Sequence, residues 1–374
     1  MNSYTENTAL YDYYDYNQTL DDENDSLSVG CPGSHLQSTD IFLPVVYYLI
    51  FFTGVFGNIF VIVVVGSKNR RSGRLVDTFV INLALADLIF VFTLPLWAIS
   101  ASQNDHWGFG AAGNLLCKLS SYIIAVNRVS NISFLTCMSV DRYLAVVKLM
   151  DSRYLRTSGC IRITCAAVWV SSLVFGIPSW VYRDVIPVGG RLSCLEDNSS
   201  SFFLALSLTM TLVTFVLPVL IIVICYGTIV LHLNKHCVTA VNPRADARRR
   251  HSLKMVLSII VAFVASWLPF NIFKTIILSS RLAAAQPSCG VPPWQSDGLV
   301  ISCCLAFLNS CVNPAIYFFL DHHFRRQAQL LYKTCSTTKT KVPPSHNSTA
   351  SFTNTGNSES FGTTGGGKMF HVSD

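Results

Sequence analysis

The sequence predicts an all-α membrane protein, a seven-transmembrane helix bundle with a short amphipathic eighth helix. Composition is the first reason: of 374 residues, 51% are hydrophobic and 13% charged, against about 25% charged in a typical soluble protein. Segmentation is the second. The apolar residues fall into runs at 41–66, 76–99, 114–140, 160–181, 202–233, 255–279 and 298–320, each near the ~20 residues that carry a helix across a ~30 Å hydrocarbon layer. Basic residues gathering in alternate connections are the third. A single soluble core stops growing at roughly 250 to 300 residues, and nothing in the chain resembles two soluble domains joined by a linker.

Residues 1–40 read as an extracellular, acidic, Tyr-rich tail that cannot bury a core and is expected to be disordered until bound. It lacks the basic region and cleavage site of a signal peptide, so the first span is expected to act as the insertion signal. Tyr11, Tyr13, Tyr14 and Tyr16 interleave with acids, and sulfation there would add negative charge for a ligand's basic surface; a merely solubilising tail is the alternative. Asn17, Asn24 and Asn198 head glycosylation sequons, whereas those at Asn131 and Asn347 are forbidden by topology. No Lys or Arg precedes Lys68, while Glu6, Asp12, Asp15, Asp21, Asp22, Glu23, Asp25 and Asp40 do.

Charge orients the runs. Lys68, Arg70, Arg71 and Arg74 follow the first; Lys148, Arg153 and Arg156 follow the third; Arg244, Arg248, Arg249, Arg250 and Lys254 lie between the fifth and sixth. The positive-inside rule puts these connections and the tail with Arg325 and Arg326 in the cytoplasm, and the amino terminus outside the plasma membrane. The net charge of +6 is thus polarised, acidic outside and basic inside, and implies no nucleic acid. Residues 41–320 form the seven-transmembrane domain, 321–332 the amphipathic juxtamembrane helix, and 333–374 a Ser/Thr-rich disordered cytoplasmic tail. Phosphorylation would make that tail anionic. Cys335 is a candidate for palmitoylation, with an unmodified thiol the alternative.

Only exterior cysteines meet an oxidising compartment, and these are Cys31, Cys117, Cys194 and Cys289. Four cysteines allow three pairings. Cys117 with Cys194 would pin the loop between spans four and five over the bundle mouth, leaving Cys31 and Cys289 to tie the amino terminus to the loop before span seven.

Polar residues inside spans are costly and mark function. They run Gly57-Asn58 in span one, Leu83 to Asp87 in span two, Asp141-Arg142-Tyr143 ending span three, Trp169 in span four, Pro218 and Tyr226 in span five, Ser266-Trp267-Leu268-Pro269 in span six, and Asn313-Pro314-Ala315-Ile316-Tyr317 in span seven. One such set per span, in this order, resembles the rhodopsin-like, class A G-protein-coupled receptors over residues 41–332. Thr93 to Trp97, Asp141 to Val147, the extra Cys31 and Cys289, and the tyrosine-acid tail point to the chemokine-receptor-like branch. Cys303 stands where many chemokine receptors carry a Glu, so the usual anchor for a basic ligand amine is absent.

The resemblance implies a receptor for a secreted peptide or chemokine-like small protein, with heterotrimeric G protein (of the inhibitory type), receptor kinases, arrestin and membrane lipid as partners. Pro218, Pro269 and Pro314 would kink their helices. Trp267 would sit at the cavity floor as a ligand-biased side chain or as a plain core aromatic. Arg142 would pair with Asp141 at rest and be freed for the G protein, with Tyr226 and Tyr317 rotating inward. Arg249 falls where some receptors place an acidic lock partner. Asp87, Asn127, Asn131, Asn309, Ser310 and Asn313 match the family's sodium site, with ordinary interhelical hydrogen bonding the alternative.

Arg128, near the middle of span three, must face inward. Eleven residues after Cys117, it falls on nearly the same helix face about 16 Å deeper. With Lys274, and with Lys118 and Arg281 nearer the rim and Trp97 in span two, it predicts a basic cavity beneath an acidic tail. The implied ligand is bipartite, a basic body held by the tail and an anionic end inserted toward Arg128. Internal pairing of Arg128 with Asn127 or Asn131 is the alternative. Competing functions are fewer. Span seven, 298–320, has no lysine for a retinal Schiff base. No facing carboxylate pair or Ser/His pair marks an enzyme, and no cofactor is expected beyond the candidate allosteric sodium ion. An atypical scavenging receptor without G-protein coupling remains, although such relatives often alter the Asp-Arg-Tyr stretch that is intact here.

Overall fold

The computed structural model describes residues 39–67, 75–148, 157–188, 190–196, 200–236, 243–283 and 292–339. Tyr11, Tyr13, Tyr14, Tyr16, Asn17, Asn24, Cys31, Asn198 and Cys289 lie outside the described residues. Seven helical stretches are long and apolar enough to cross a membrane: Thr39–Gly66, Val76–Ser102, Gly110–Val146, Ser158–Val181, Ser201–Leu233, Leu253–Leu282 and Pro293–Leu320. Each overlaps one predicted run, and most extend beyond it, because a helix does not stop where its apolar face does.

The first span is α1, Thr39–Gly66. The second breaks into α2, Leu75–Val91, and α3, Leu94–Ser102. Pro95 cannot donate a helical hydrogen bond, and the Thr93 hydroxyl donates to the Phe90 carbonyl at 2.8 Å at the break. A 3-10 turn at Gly110–Ala112 leads into α4, Gly113–Val146. Thr157 caps α5, Ser158–Val181, by accepting from the Cys160 N–H at 3.2 Å. The fifth span is α6, Ser201–Thr211, then a π-helical stretch at Leu212–Val216, then α7, Leu217–His236. The wide turn ends two residues before Pro218, where a missing N–H already interrupts the ladder. The last two spans are α8, Pro243–Leu282, and α9, Pro293–Leu320. Asp321 accepts from the His323 N–H at 2.9 Å and opens α10, His322–Lys339, which runs past the predicted end at 332. The described residues up to Leu331 belong to one compact unit; of the second, Tyr332–Asp374, the described part is the helical Tyr332–Lys339.

The bundle is apolar on its outer surface as well as in its core, with a set of polar side chains buried between the helices. Phe56, Ile163, Leu231 and Phe319 are exposed, whereas Asn58, Asp87, Asn127, Asn131, Asn309 and Asn313 are buried. That is the arrangement expected where lipid replaces water as solvent. Helix α4 is central, packing against α2, α5, α7 and α8, while α8 lies along α9 and α1 along α2, α3 and α9. Gly176 permits the approach of α5 to α4: a Cβ there would stand 2.8 Å from Val126 and 2.9 Å from Tyr122.

One element departs from the all-α expectation. Strands β1, Arg183–Val188, and β2, Arg191–Glu196, form an antiparallel hairpin between α5 and α6 in the register Arg183↔Glu196, Val185↔Cys194 and Val188↔Arg191. Gly190 turns it at φ +75°, a conformation that costs glycine little.

Candidate functional site

The hairpin is fastened to the bundle from several sides. Cys194 in β2 is disulfide-bonded to Cys117 in the first turns of α4, with Cα atoms 5.7 Å apart. Of the three pairings the exterior cysteines allow, this is the one that pins the hairpin over the bundle. The Trp107 N–H donates to the Leu192 carbonyl at 2.6 Å, and the Ser193 hydroxyl to the Asp105 carbonyl at 3.2 Å. Trp107 is fully buried against Trp97, ring centroids 5.1 Å apart, and the Arg183 guanidinium lies 5.8 Å from the Trp97 ring centre. Lys118 in α4 pairs with Asp184 at 3.5 Å.

Strand alternation then decides what the hairpin points inward. Residues i and i+2 share a face, so the constraint that turns Cys194 toward α4 also turns Glu196 inward. Lys274 in α8 donates to both Glu196 oxygens, at 3.4 and 3.3 Å. Burial alone would raise the Glu196 pKa, but the charges of Lys274, Arg183 and Arg128 outweigh it and hold the carboxyl below its ordinary value. Arg128, Lys274 and Glu196 line one cavity together with Phe175, Phe203 and Met210.

The expected basic cavity also holds an acid that the sequence reading did not single out: Arg128 and Lys274 converge around the hairpin carboxylate of Glu196, and Lys118 pairs with Asp184. Internal pairing of Arg128 takes a different form as well: Asn127 and Asn131 turn to Asp87, while Arg128 Nη2 donates to the Thr214 hydroxyl at 3.3 Å. Thr214 belongs to the π-helical stretch of span five. The Nε of Arg128 is buried without a hydrogen-bond partner. Arg281, near the end of α8, is half-buried and does not line this cavity. Trp267 is absent from the lining too. It sits in the core, stacked on Phe263 at 6.0 Å and edge-on to Phe270 at 5.7 Å, with Asn271 donating to its carbonyl at 2.7 Å. Cys303 is half-buried in α9.

Deeper in the bundle Asp87 accepts from four side chains on spans three and seven. Asn127, Asn131 and Ser310 reach one oxygen at 3.0, 2.7 and 3.1 Å, and Asn313 the other at 2.9 Å. Interhelical hydrogen bonding is therefore what the carboxylate makes here. Asn309 is buried beside Ser310 in sequence and is not one of the four donors to Asp87; the side-chain oxygens of Asn131, Asn309 and Asn313 are buried without hydrogen-bond partners. One carboxylate with three spare neutral oxygens suits a hard monovalent cation such as sodium. Among the described residues no cluster of three or more His, Cys, Asp or Glu side chains exists to hold a transition metal.

At the other end of α4, Arg142 Nη2 lies 3.4 Å from Asp141 Oδ2, the predicted resting pair. Tyr143 is half-buried against the core; Tyr226 in α7 and Tyr317 in α9 are buried, and the Tyr226 hydroxyl has no hydrogen-bond partner. Pro269 and Pro314 lie inside α8 and α9. The side chain of Arg249 lies outside the described residues. Sequence reasoning missed Glu196, Arg183, Asp184, Trp107, Thr214 and Asn271. Glu196 carried a signal, two positions after a disulfide cysteine in a strand; Thr214 carried none beyond its nearness to Pro218.

Residues 57–317 match the family described as "7 transmembrane receptor (rhodopsin family)". Apelin receptor A of Danio rerio is 36% identical over 343 residues, 88% of this chain and 91% of its own. Probable G-protein coupled receptor 25 of Mus musculus is 37% identical over 301 residues, 80% of each chain. Arg74 to Val80, Cys117 to Ser121, Met138 to Leu149 and Leu155 to Thr157 carry a finer likeness to this receptor. G-protein coupled receptor 15 of Mus musculus is 37% identical over 321 residues, 85% of this chain and 84% of its own. Whole-chain identity does not separate the three. With the spans, the disulfide-pinned hairpin, the Asp87 network and the Asp141–Arg142 pair in place, the chain belongs to the rhodopsin family of seven-transmembrane receptors and is a multi-pass membrane receptor, not an enzyme.

Proposed function

We propose that the protein is a plasma-membrane signalling receptor for a secreted peptide or chemokine-like small protein, its amino terminus outside. It transmits binding to heterotrimeric G proteins of the inhibitory type and, once receptor kinases have modified its tail, to arrestins. The observation that carries this reading is the layout of α4. Arg128 opens onto the cavity beneath the hairpin, and Arg142, about 21 Å further along the same helix at 1.5 Å per residue, is held by Asp141 at the far end. One rigid element thus joins a polar cavity to a charge of the kind a G protein engages, with proline-interrupted α8 and α9 beside it to swing. The intact Asp141-Arg142-Tyr143 stretch favours coupling over scavenging.

The ligand is bipartite. The acidic tyrosines of the tail gather a basic body, sulfated or not, and an anionic end such as a free carboxyl terminus enters toward Arg128, whose planar fork suits bidentate capture. Sodium held by Asp87, Ser310 and the spare oxygens of Asn131, Asn309 and Asn313 would supply a positive charge that favours the compact resting bundle. Membrane lipid covers the exposed apolar faces.

The test is a screen of secreted peptides, apelin among them because relatives bear its name, on cells expressing the full chain, read as G-protein activation and arrestin recruitment. An active ligand is expected to lose all nucleotide exchange on Arg142→Ala while keeping its binding. Normal exchange by a well-expressed Arg142→Ala receptor overturns the coupling role, and arrestin recruitment or uptake with no exchange in the parent receptor makes the protein a scavenger. Arg128→Lys should weaken activation and Arg128→Ala nearly remove it.

A further inference from the structure

Glu196 occupies a place that a ligand's anion would need. Lys274 donates to both of its oxygens, Arg183 stands directly across the hairpin from it, and Arg128 lines the same cavity with its buried Nε still without a partner. Two cations, Arg128 and Lys274, share the cavity wall with one carboxylate, and no second acid lines the cavity; Arg183, across the hairpin, adds a third charge while donating to the Cys194 carbonyl at 3.1 Å. The cavity is partly open, and the space left beside Glu196 measures about 40 Å³, enough for a water or two. Glu196 is also the last residue of β2, where the ladder ends, so its side chain can leave without unpairing the strand. Phe175, Phe203 and Met210 beside the cations supply an apolar surface.

We propose that Glu196 is a tethered stand-in for the ligand's carboxylate: it fills the Arg128–Lys274–Arg183 cation subsite at rest, and an apolar carboxylic acid group binds by taking its place. The proposal rests on reading this cavity as the ligand site. Displacement keeps the cations paired in both states, so the subsite is never left as three uncompensated charges, which burial would make costly. It also sets the chemistry of the occupant: one negative group on an apolar stem, because a neutral amide cannot replace the charge and a bare polar anion leaves the phenylalanines uncovered.

The experiment measures thermal unfolding of the purified full-length receptor with N-acetyl-leucine or its primary amide as probe, since a ligand that binds only the folded state raises the midpoint. Four proteins are compared: the parent, Glu196→Gln, Glu196→Asp and, as a control on the other hairpin acid, Asp184→Asn. The acid is expected to raise the midpoint of Glu196→Gln and Glu196→Asp at concentrations about fivefold below any effect on the parent or Asp184→Asn, the factor that corresponds to loss of one partly screened ion pair; the amide is expected to do nothing. Glu196→Asp is decisive because it keeps the negative charge and only shortens the reach to Lys274. If it responds like the parent, Glu196 acts through its field alone and displacement is overturned; equal responses to acid and amide overturn it too. Should Glu196→Gln fail to fold, Glu196→Asp still decides. The readout is binding, so a receptor that couples to no G protein would overturn the proposed signalling and leave this result standing.

Discussion

Two carboxylates in this protein, the fully buried Asp87 and the partly exposed Glu196, are stabilised in opposite ways. Asp87 is surrounded by neutral donors, three amides and a hydroxyl, each with hydrogen-bond geometry and each on a membrane-spanning helix. Glu196 arrives on a hairpin and is surrounded by cations, of which only Lys274 bonds it directly. Neutral donors satisfy a carboxylate by direction and lose most of their effect when one moves by an ångström; cations satisfy it through a field that tolerates displacement. The first arrangement fixes helices relative to one another, while the second lets one anion be exchanged for another.

The comparison can be broken at the roof first. Cys194→Ala frees the hairpin and with it the placement of Glu196, and loss of a native disulfide typically costs about 2–5 kcal/mol; little receptor should reach the cell surface, measured by surface labelling. Next comes the directional site. Asp87→Ala leaves four donors aimed at an empty position, at about 1–3 kcal/mol for a buried unsatisfied group, whereas Asp87→Asn keeps an acceptor and should cost less. If the two variants melt alike in detergent, the network is not directional in the sense argued here.

The field-held site should yield less. Lys274 and Glu196 are 22% and 23% exposed, and removing Lys274 should cost about 1 kcal/mol, the upper end for a partly screened pair. Because the folded Glu196 pKa is depressed, its contribution is fully present above the ordinary glutamate value of about 4.3 and is lost as pH falls through the lower folded value. Glu196→Gln should therefore flatten the acid limb of the stability profile below about pH 4.3, and an unchanged limb would remove Glu196 from the account. Smallest of all is Asp184→Asn: with Asp184 half exposed, the melting temperature should stay within error, as exposed ion pairs usually contribute under about 1 kcal/mol.

The same contrast explains what the sequence made legible. Asp87, Asn131, Arg128 and Arg142 stand out because a polar residue in an apolar run is conspicuous, and their neighbours on a helix face follow from 3.6 residues per turn. The spans were legible for the same reason. Glu196 was hidden because a charge in a polar loop is ordinary; only the turn signal of Gly189-Gly190 between two extended stretches, with alternation from Cys194, would have revealed it. The partner of Arg128 was hidden differently. Thr214 faces it through a π-helical stretch, and a register shift of that kind leaves no periodic trace in five residues. Asn309 stayed out of the Asp87 hydrogen bonds although the family resemblance grouped it with them, since a matching position does not fix where an amide turns.

The hairpin register carries one more consequence, which is a matter of parity. In a strand only the evenness or oddness of a spacing decides which way a side chain looks. Cys194 is locked to α4, so inserting one residue between it and Glu196, or deleting Leu195, would send the carboxylate to the outer face, whereas an insertion of two would keep the inward parity. Loop length here behaves as a binary digit: an even count from cysteine to acid keeps a charged inner wall in this protein, and an odd count would leave its cations bare.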